Sequence, residues 1–106
     1  MKRKIAVLLG LIILASCTTK IKEIKENRTD YLGEKVKIEG TVNMNIPFTK
    51  IYKIKDETGT IYVEASSDLP NKDQKYTIKG IVREKKIGIE GLNLINELYI
   101  EETERD

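Results

Sequence analysis

Residues 31–101 predict an all-β fold, a small barrel of five strands. Three observations carry this expectation. Apolar residues recur at every second position through successive short segments, the period of a half-buried strand. Turn-forming residues separate those segments at short intervals. No stretch between them sustains the 3.6-residue period of a long helix. Strands this short hide their apolar faces best when the sheet closes on itself.

The elements follow in order. Asp30-Tyr31-Leu32-Gly33 reads as a turn. In residues 35–42, Val36, Ile38, Gly40 and Val42 share one parity, and Lys35, Lys37, Glu39 and Thr41 the other. Residues 43–47 break that strand. Residues 48–55 resume it, with Tyr52 and Ile54 in phase. Asp56-Glu57-Thr58-Gly59 is a polar turn rather than a ligand site: Asp and Thr bond nearby backbone N–H groups, and Gly supplies a positive φ. Ile61, Val63 and Ala65 then alternate with Thr60, Tyr62 and Glu64. Residues 66–74, with Pro70, Asn71 and Asp73, read as a loop. Tyr76, Ile78, Gly80 and Val82 alternate with Lys75, Thr77, Lys79, Ile81 and Arg83. Ile87 and Ile89 suggest a continuation, and residues 91–96 are ambiguous. Leu98 and Ile100 alternate with Tyr99 and Glu101 in the last strand, and residues 102–106 are an acidic tail expected to fray. The expected interior is Val36, Ile38, Val42, Tyr52, Ile54, Ile61, Val63, Tyr76, Ile78, Val82 and Ile100.

Two strands match each other, KVKIEGTV at 35–42 and KYTIKGIV at 75–82. Gly40 and Gly80 fall on the inward parity, where the missing side chain lets a strand coil at a barrel corner. The succession V-x-I-x-G-x-V, Y-x-I-x-D-x-T-G-x-I-x-V and Y-x-I-x-G-x-V, at 36–42, 52–63 and 76–82, resembles the OB-fold superfamily across residues 35–101. The resemblance implies a five-stranded OB-like barrel. Many OB-folds carry a helix between strands three and four. Residues 66–74 offer nine positions with a Pro inside, so a short or absent helix is expected there, and an SH3-like barrel is the runner-up.

The N-terminus reads MKRKIAVLLGLIILASC. Lys2, Arg3 and Lys4 precede an apolar run of 11 residues, 5–15. That is shorter than the roughly 20 residues a spanning helix needs, and it fits a signal peptide. Leu14-Ala15-Ser16-Cys17 closely resembles the lipobox of bacterial lipoproteins. The resemblance implies cleavage before Cys17, lipidation of its sulfur, and attachment to a membrane facing outside the cytoplasm. The expected organisation is a cleaved signal peptide at 1–16, a lipidated tether at 17–30, the barrel at 31–101 and the acidic tail at 102–106. Ile21 and Ile24, three apart, suggest one amphipathic turn in the tether, packed on the barrel or the bilayer. Losing Lys2, Arg3 and Lys4 from 19 basic residues leaves 16 against 17 acidic ones, net −1.

Several chemistries are excluded. A single Cys cannot form an internal disulfide, and without His there is no Ser-His-Asp triad, Cys-His pair or imidazole metal ligand. OB-fold haem carriers attach haem through a His, which this chain lacks. No phosphate-cradling glycine motif occurs, and Asp68 and Asp73 lack calcium-loop spacing. No carboxylate pair is singled out, so neither enzymatic activity nor a cofactor is expected. The resemblance puts a ligand face across strands two and three. Its outward candidates are Lys35, Lys37, Lys53, Lys55 and Tyr62, with Phe48 and Lys50 on the preceding loop. Residues 18–55 hold nine basic and five acidic groups, and residues 56–106 seven and twelve. Expected partners are an envelope protein, a glycan or a small charged ligand. The alternative is single-stranded nucleic acid, which takes cations for phosphates and flat rings for bases.

Overall fold

The computed structural model describes residues 17–87 and 95–106. The signal peptide expected at 1–16 lies outside the described residues, as do Ile89 and residues 91–94. Two short helices, α1 (Ile21–Glu26) and α2 (Arg28–Tyr31), precede five strands: β1 (Lys35–Asn45), β2 (Ile51–Asp56), β3 (Gly59–Glu64), β4 (Lys75–Ile87) and β5 (Ile95–Arg105). The strands close a barrel in the order β1-β2-β3-β5-β4, with β4 returning to β1. Every pairing is antiparallel except β3 with β5. This is the OB-like arrangement of the two alternatives. Residues 65–74 contain no helix.

Closure depends on β1 serving two neighbours. Its residues 35–41 pair with β4, and its residues 41–45 pair with β2. Gly40 and Gly80 sit where strands press backbone to backbone. A Cβ would lie 2.5 Å from the Lys55 carbonyl oxygen at Gly40, and 2.4 Å from that of Glu101 at Gly80. Residues 43–45 do not break β1 as expected. A bulge between Val42 and Met44 keeps the strand paired and turns Met44 outward.

Ten of the eleven expected interior residues are buried. Tyr76 is half-buried instead, because it starts β4 at the barrel rim: its hydroxyl accepts a hydrogen bond from the Asn71 N–H at 3.1 Å. The core also takes Ile21, Ile24, Ala65 and Leu98.

Both chain ends are built into the barrel. Of the two surfaces open to the amphipathic turn of residues 17–30, barrel or bilayer, Ile21 and Ile24 take the barrel, where both are completely buried in the core. Six residues are too few for a helix to persist alone, so α1 is held by what it touches. Its N-terminal N–H groups are capped by the β2–β3 turn. Asp56 Oδ2 accepts from Ile21 N–H at 3.0 Å, and Thr58 Oγ1 accepts from Lys22 N–H at 3.0 Å. The turn also satisfies itself: Asp56 Oδ1 accepts from the Thr58 N–H and hydroxyl, both at 2.6 Å, and from Gly59 N–H at 3.1 Å. Gly59 does not use a positive φ; a Cβ there would lie 3.8 Å from Ile21 Cγ2. Residues 102–106 do not fray. β5 runs to Arg105, and Asp106 and Thr77 exchange backbone hydrogen bonds of 2.9 and 3.0 Å.

Candidate ligand-binding face

The register brings one outward row of side chains around most of the barrel. Met44 on β1 is the partner of Lys53 on β2, Lys53 of Tyr62 on β3, Tyr62 of Tyr99 on β5, and Tyr99 of Arg83 on β4. Neighbouring strands lie about 4.8 Å apart, so Tyr62 and Tyr99 occupy adjacent positions on one face. Both are half-buried, leaving part of each ring open. Lys53 Nζ lies 5.2 Å from the centre of the Tyr62 ring, within cation–π range. On the other side Arg83 Nε donates to Glu101 Oε1 at 2.8 Å. Glu64 and Glu101 are themselves partners across β3 and β5, two residues beyond the tyrosines on the same parity. Partial burial, and then the charges of Glu64 and Glu101, hold the Tyr99 hydroxyl above the ordinary tyrosine range, with Arg83 opposing. The Tyr99 hydroxyl therefore stays protonated at neutral pH and can donate a hydrogen bond.

The expected basic groove does not assemble. β2 joins β1 only from Thr41 onward, so Lys35 and Lys37 lie along the seam with β4, opposite Ile81 and Lys79. Lys53 and Tyr62 meet as expected. Lys55, opposite Thr41 and Thr60, lines a separate open cleft of about 730 Å³ with Lys20, Glu39, Glu57, Asp73 and Lys75. There Lys20 pairs with Glu57, and Lys75 with Glu39 at 3.9 Å. Phe48 and Lys50 occupy the β1–β2 loop. Phe48 is fully exposed with φ +64°. The loop is ordered around it: Thr49 Oγ1 donates to the Ile46 carbonyl at 2.8 Å and accepts from Ile51 N–H at 2.9 Å.

The outward parity of Tyr99 is legible in the sequence. Its place beside Tyr62 is not, because it arises from a parallel pairing between strands more than thirty residues apart.

A second polar cluster has no sequence signal. Glu102 faces inward from β5 and is 4% exposed. Its carboxylate accepts from the Tyr52 hydroxyl at 2.5 Å, the Ser66 hydroxyl at 2.7 Å, Ser66 N–H at 3.1 Å and Arg105 Nη1 at 3.2 Å. Arg105 also donates to the Asp68 carbonyl at 2.7 Å, and its guanidinium lies over the rings of Tyr52 and Tyr76. Burial pushes the Glu102 carboxyl upward. The bonds from Tyr52 and Ser66 and the charge of Arg105 outweigh it and hold the group below the usual glutamate range. Burial, and then the bond to Glu102, push the Tyr52 hydroxyl far above the tyrosine range. A carboxylate with this many donors is saturated, so the cluster ties β2, β5 and the β3–β4 loop together. Among the described residues, no three acidic or Cys side chains gather as a metal site.

These features define a small OB-like barrel whose β2-β3-β5 face carries paired tyrosines between two cations. No protein-family model matches the chain, and no curated protein does. Its fold is similar to that of the hypothetical protein ygiW from E. coli, with a TM-score of 0.60 and 18% identity over 87% of this chain and 90% of that one.

Proposed function

We propose that the chain is a non-enzymatic lipoprotein of the bacterial cell envelope, anchored by lipid on Cys17, whose barrel binds a protein, glycan or small charged ligand. The observation that carries the reading is Leu14-Ala15-Ser16-Cys17 at the end of a short apolar run behind three basic residues. Cys17 is exposed, so its sulfur is accessible for acylation. One acyl chain anchors marginally and two or three anchor stably, at about 0.8 kcal/mol per buried methylene. The ligand surface in this reading is the Met44–Lys53–Tyr62–Tyr99–Arg83 row. Cys17→Ser is expected to release the protein from membranes or block its maturation. An intact mass with unmodified Cys17 at the mature N-terminus refutes the anchoring.

The second reading is a surface binder of single-stranded DNA. It is favoured by the two adjacent rings flanked by Lys53 and Arg83, since aromatics stack bases and cations track phosphates. It is opposed by Glu64 and Glu101 on the same face and by the net charge of −1 after signal removal. Retention of single-stranded DNA that falls steeply with salt selects it. Retention of a peptidoglycan fragment with little salt dependence selects the first.

A further inference from the structure

We infer that the seam between β1 and β4 is the membrane-facing surface of this protein, its lysines meeting the headgroups of an anionic phospholipid bilayer. The inference rests on the lipid anchor proposed above and adds an orientation to it. Two independent observations converge on the seam.

The first is the length of the leash. Beyond Cys17 the chain is fixed to the barrel almost at once. Thr19 N–H donates to the Lys37 carbonyl at 2.7 Å, on the edge of β1 that β2 leaves unpaired. Ile21 then enters the core. Two residues of chain span at most about 7 Å, too little for the barrel to swing free of its anchor. Thr18 lines a depression with Lys37, Glu39, Thr77, Lys79 and Asp106. A lipid on Cys17 therefore enters the bilayer beside that depression.

The second is charge. Outward residues of the seam pair as Lys35 with Ile81, Lys37 with Lys79, Glu39 with Thr77 and Thr41 with Lys75. Four lysines and one glutamate thus stand in these four pairs, with Lys75 3.9 Å from Glu39. Glu104 approaches Lys79 at 3.8 Å, and Asp106 closes one end. The long lysine stems let the ammonium groups reach headgroups while the strands stay outside the lipid. Each basic side chain held near an anionic surface adds to binding, and salt screens that contribution.

The geometry has a functional consequence. In the closed order β1-β2-β3-β5-β4, β3 lies across the barrel from the β1–β4 seam. Seating the seam on lipid turns Tyr62 and its neighbours away from the membrane, toward a partner arriving from the surrounding compartment.

The test uses the full-length processed protein in nanodiscs of phosphatidylethanolamine and phosphatidylglycerol, doped with a gadolinium-headgroup lipid. Amide NMR signals of residues 35–39 and 75–81 are expected to lose most of their intensity, while those of Tyr62 and Val63 keep theirs. The charge-reversed variant Lys35→Glu/Lys75→Glu, checked by circular dichroism for an intact fold, is expected to flatten the difference. Uniform broadening, or loss centred on β3, in protein whose intact mass carries the lipid overturns the seam and leaves the anchor standing. An intact mass without lipid overturns the anchor, and the orientation with it.

Discussion

Replacing Ile24 by Ala tests whether α1 is part of the fold or a leash. Ile24 is completely buried, in a helix the barrel itself caps. The change removes three carbons from the core. At about 0.8 kcal/mol per buried methylene the transfer loss is about 2.4 kcal/mol. The site can relax little, because Ile21 anchors the same six-residue helix and Asp56 and Thr58 fix its N-terminus. The residual cavity then brings the total to about 2–5 kcal/mol. That is a large share of the stability of a small domain. Urea unfolding of residues 18–106, followed by circular dichroism, reads the change as a fall in midpoint at constant slope. Asp56→Ala should reproduce part of the effect from the other side of the contact, by about 1 kcal/mol, as the loss of a cap does. A change at Ile24 within about 0.5 kcal/mol would refute the reasoning, since only a helix detached from the barrel tolerates the truncation so well.

Stability should also depend on Glu102 and Asp56, whose carboxyls are both held below their ordinary values. For Asp56, partial burial pushes upward and the bonds from Thr58, Ile21 and Gly59 prevail. A lowered folded pKa gives stability that is complete above the unfolded pKa and is lost as pH falls through the folded one. Melting temperature should therefore hold near neutrality and drop below about pH 4.5, and Glu102→Gln should lower it at pH 7 while flattening the acid limb. Gly80→Ala should destabilise by more than about 2 kcal/mol, because the new Cβ meets the Glu101 carbonyl at 2.4 Å and backbone cannot yield as a side chain does; denaturant titration measures it. Tyr62→Ala and Tyr99→Ala should each weaken a base-stacking ligand by about 1–3 kcal/mol in a fluorescence-anisotropy titration. Affinity unchanged from the unmodified protein in both variants would remove the β3–β5 face from the site.

The sequence by itself determined what local pattern can encode. Period-two alternation carries the identity of the strands and ten of the core residues, because strand parity is a property of consecutive positions. Gly40 and Gly80 were legible as barrel corners for the same reason: an inward glycine between β-branched residues has a local geometric meaning. The lipobox resemblance at Cys17 is linear too. What tertiary structure decided was everything that depends on which strands meet. β1 is shared between β4 and β2, and this scatters Lys35 and Lys37 away from Lys53 and Lys55. The parallel β3–β5 contact sets Tyr99 beside Tyr62. Ile21 and Ile24 carry the same spacing whether they lie on lipid or inside a barrel; the β2–β3 turn, 35 residues downstream, caps the helix and holds them in the core. Glu102 looked like part of an acidic tail because a carboxylate is ordinarily solvated. It is buried because Tyr52, Ser66 and Arg105 supply, from three separate parts of the chain, the hydrogen bonds that water would otherwise give it.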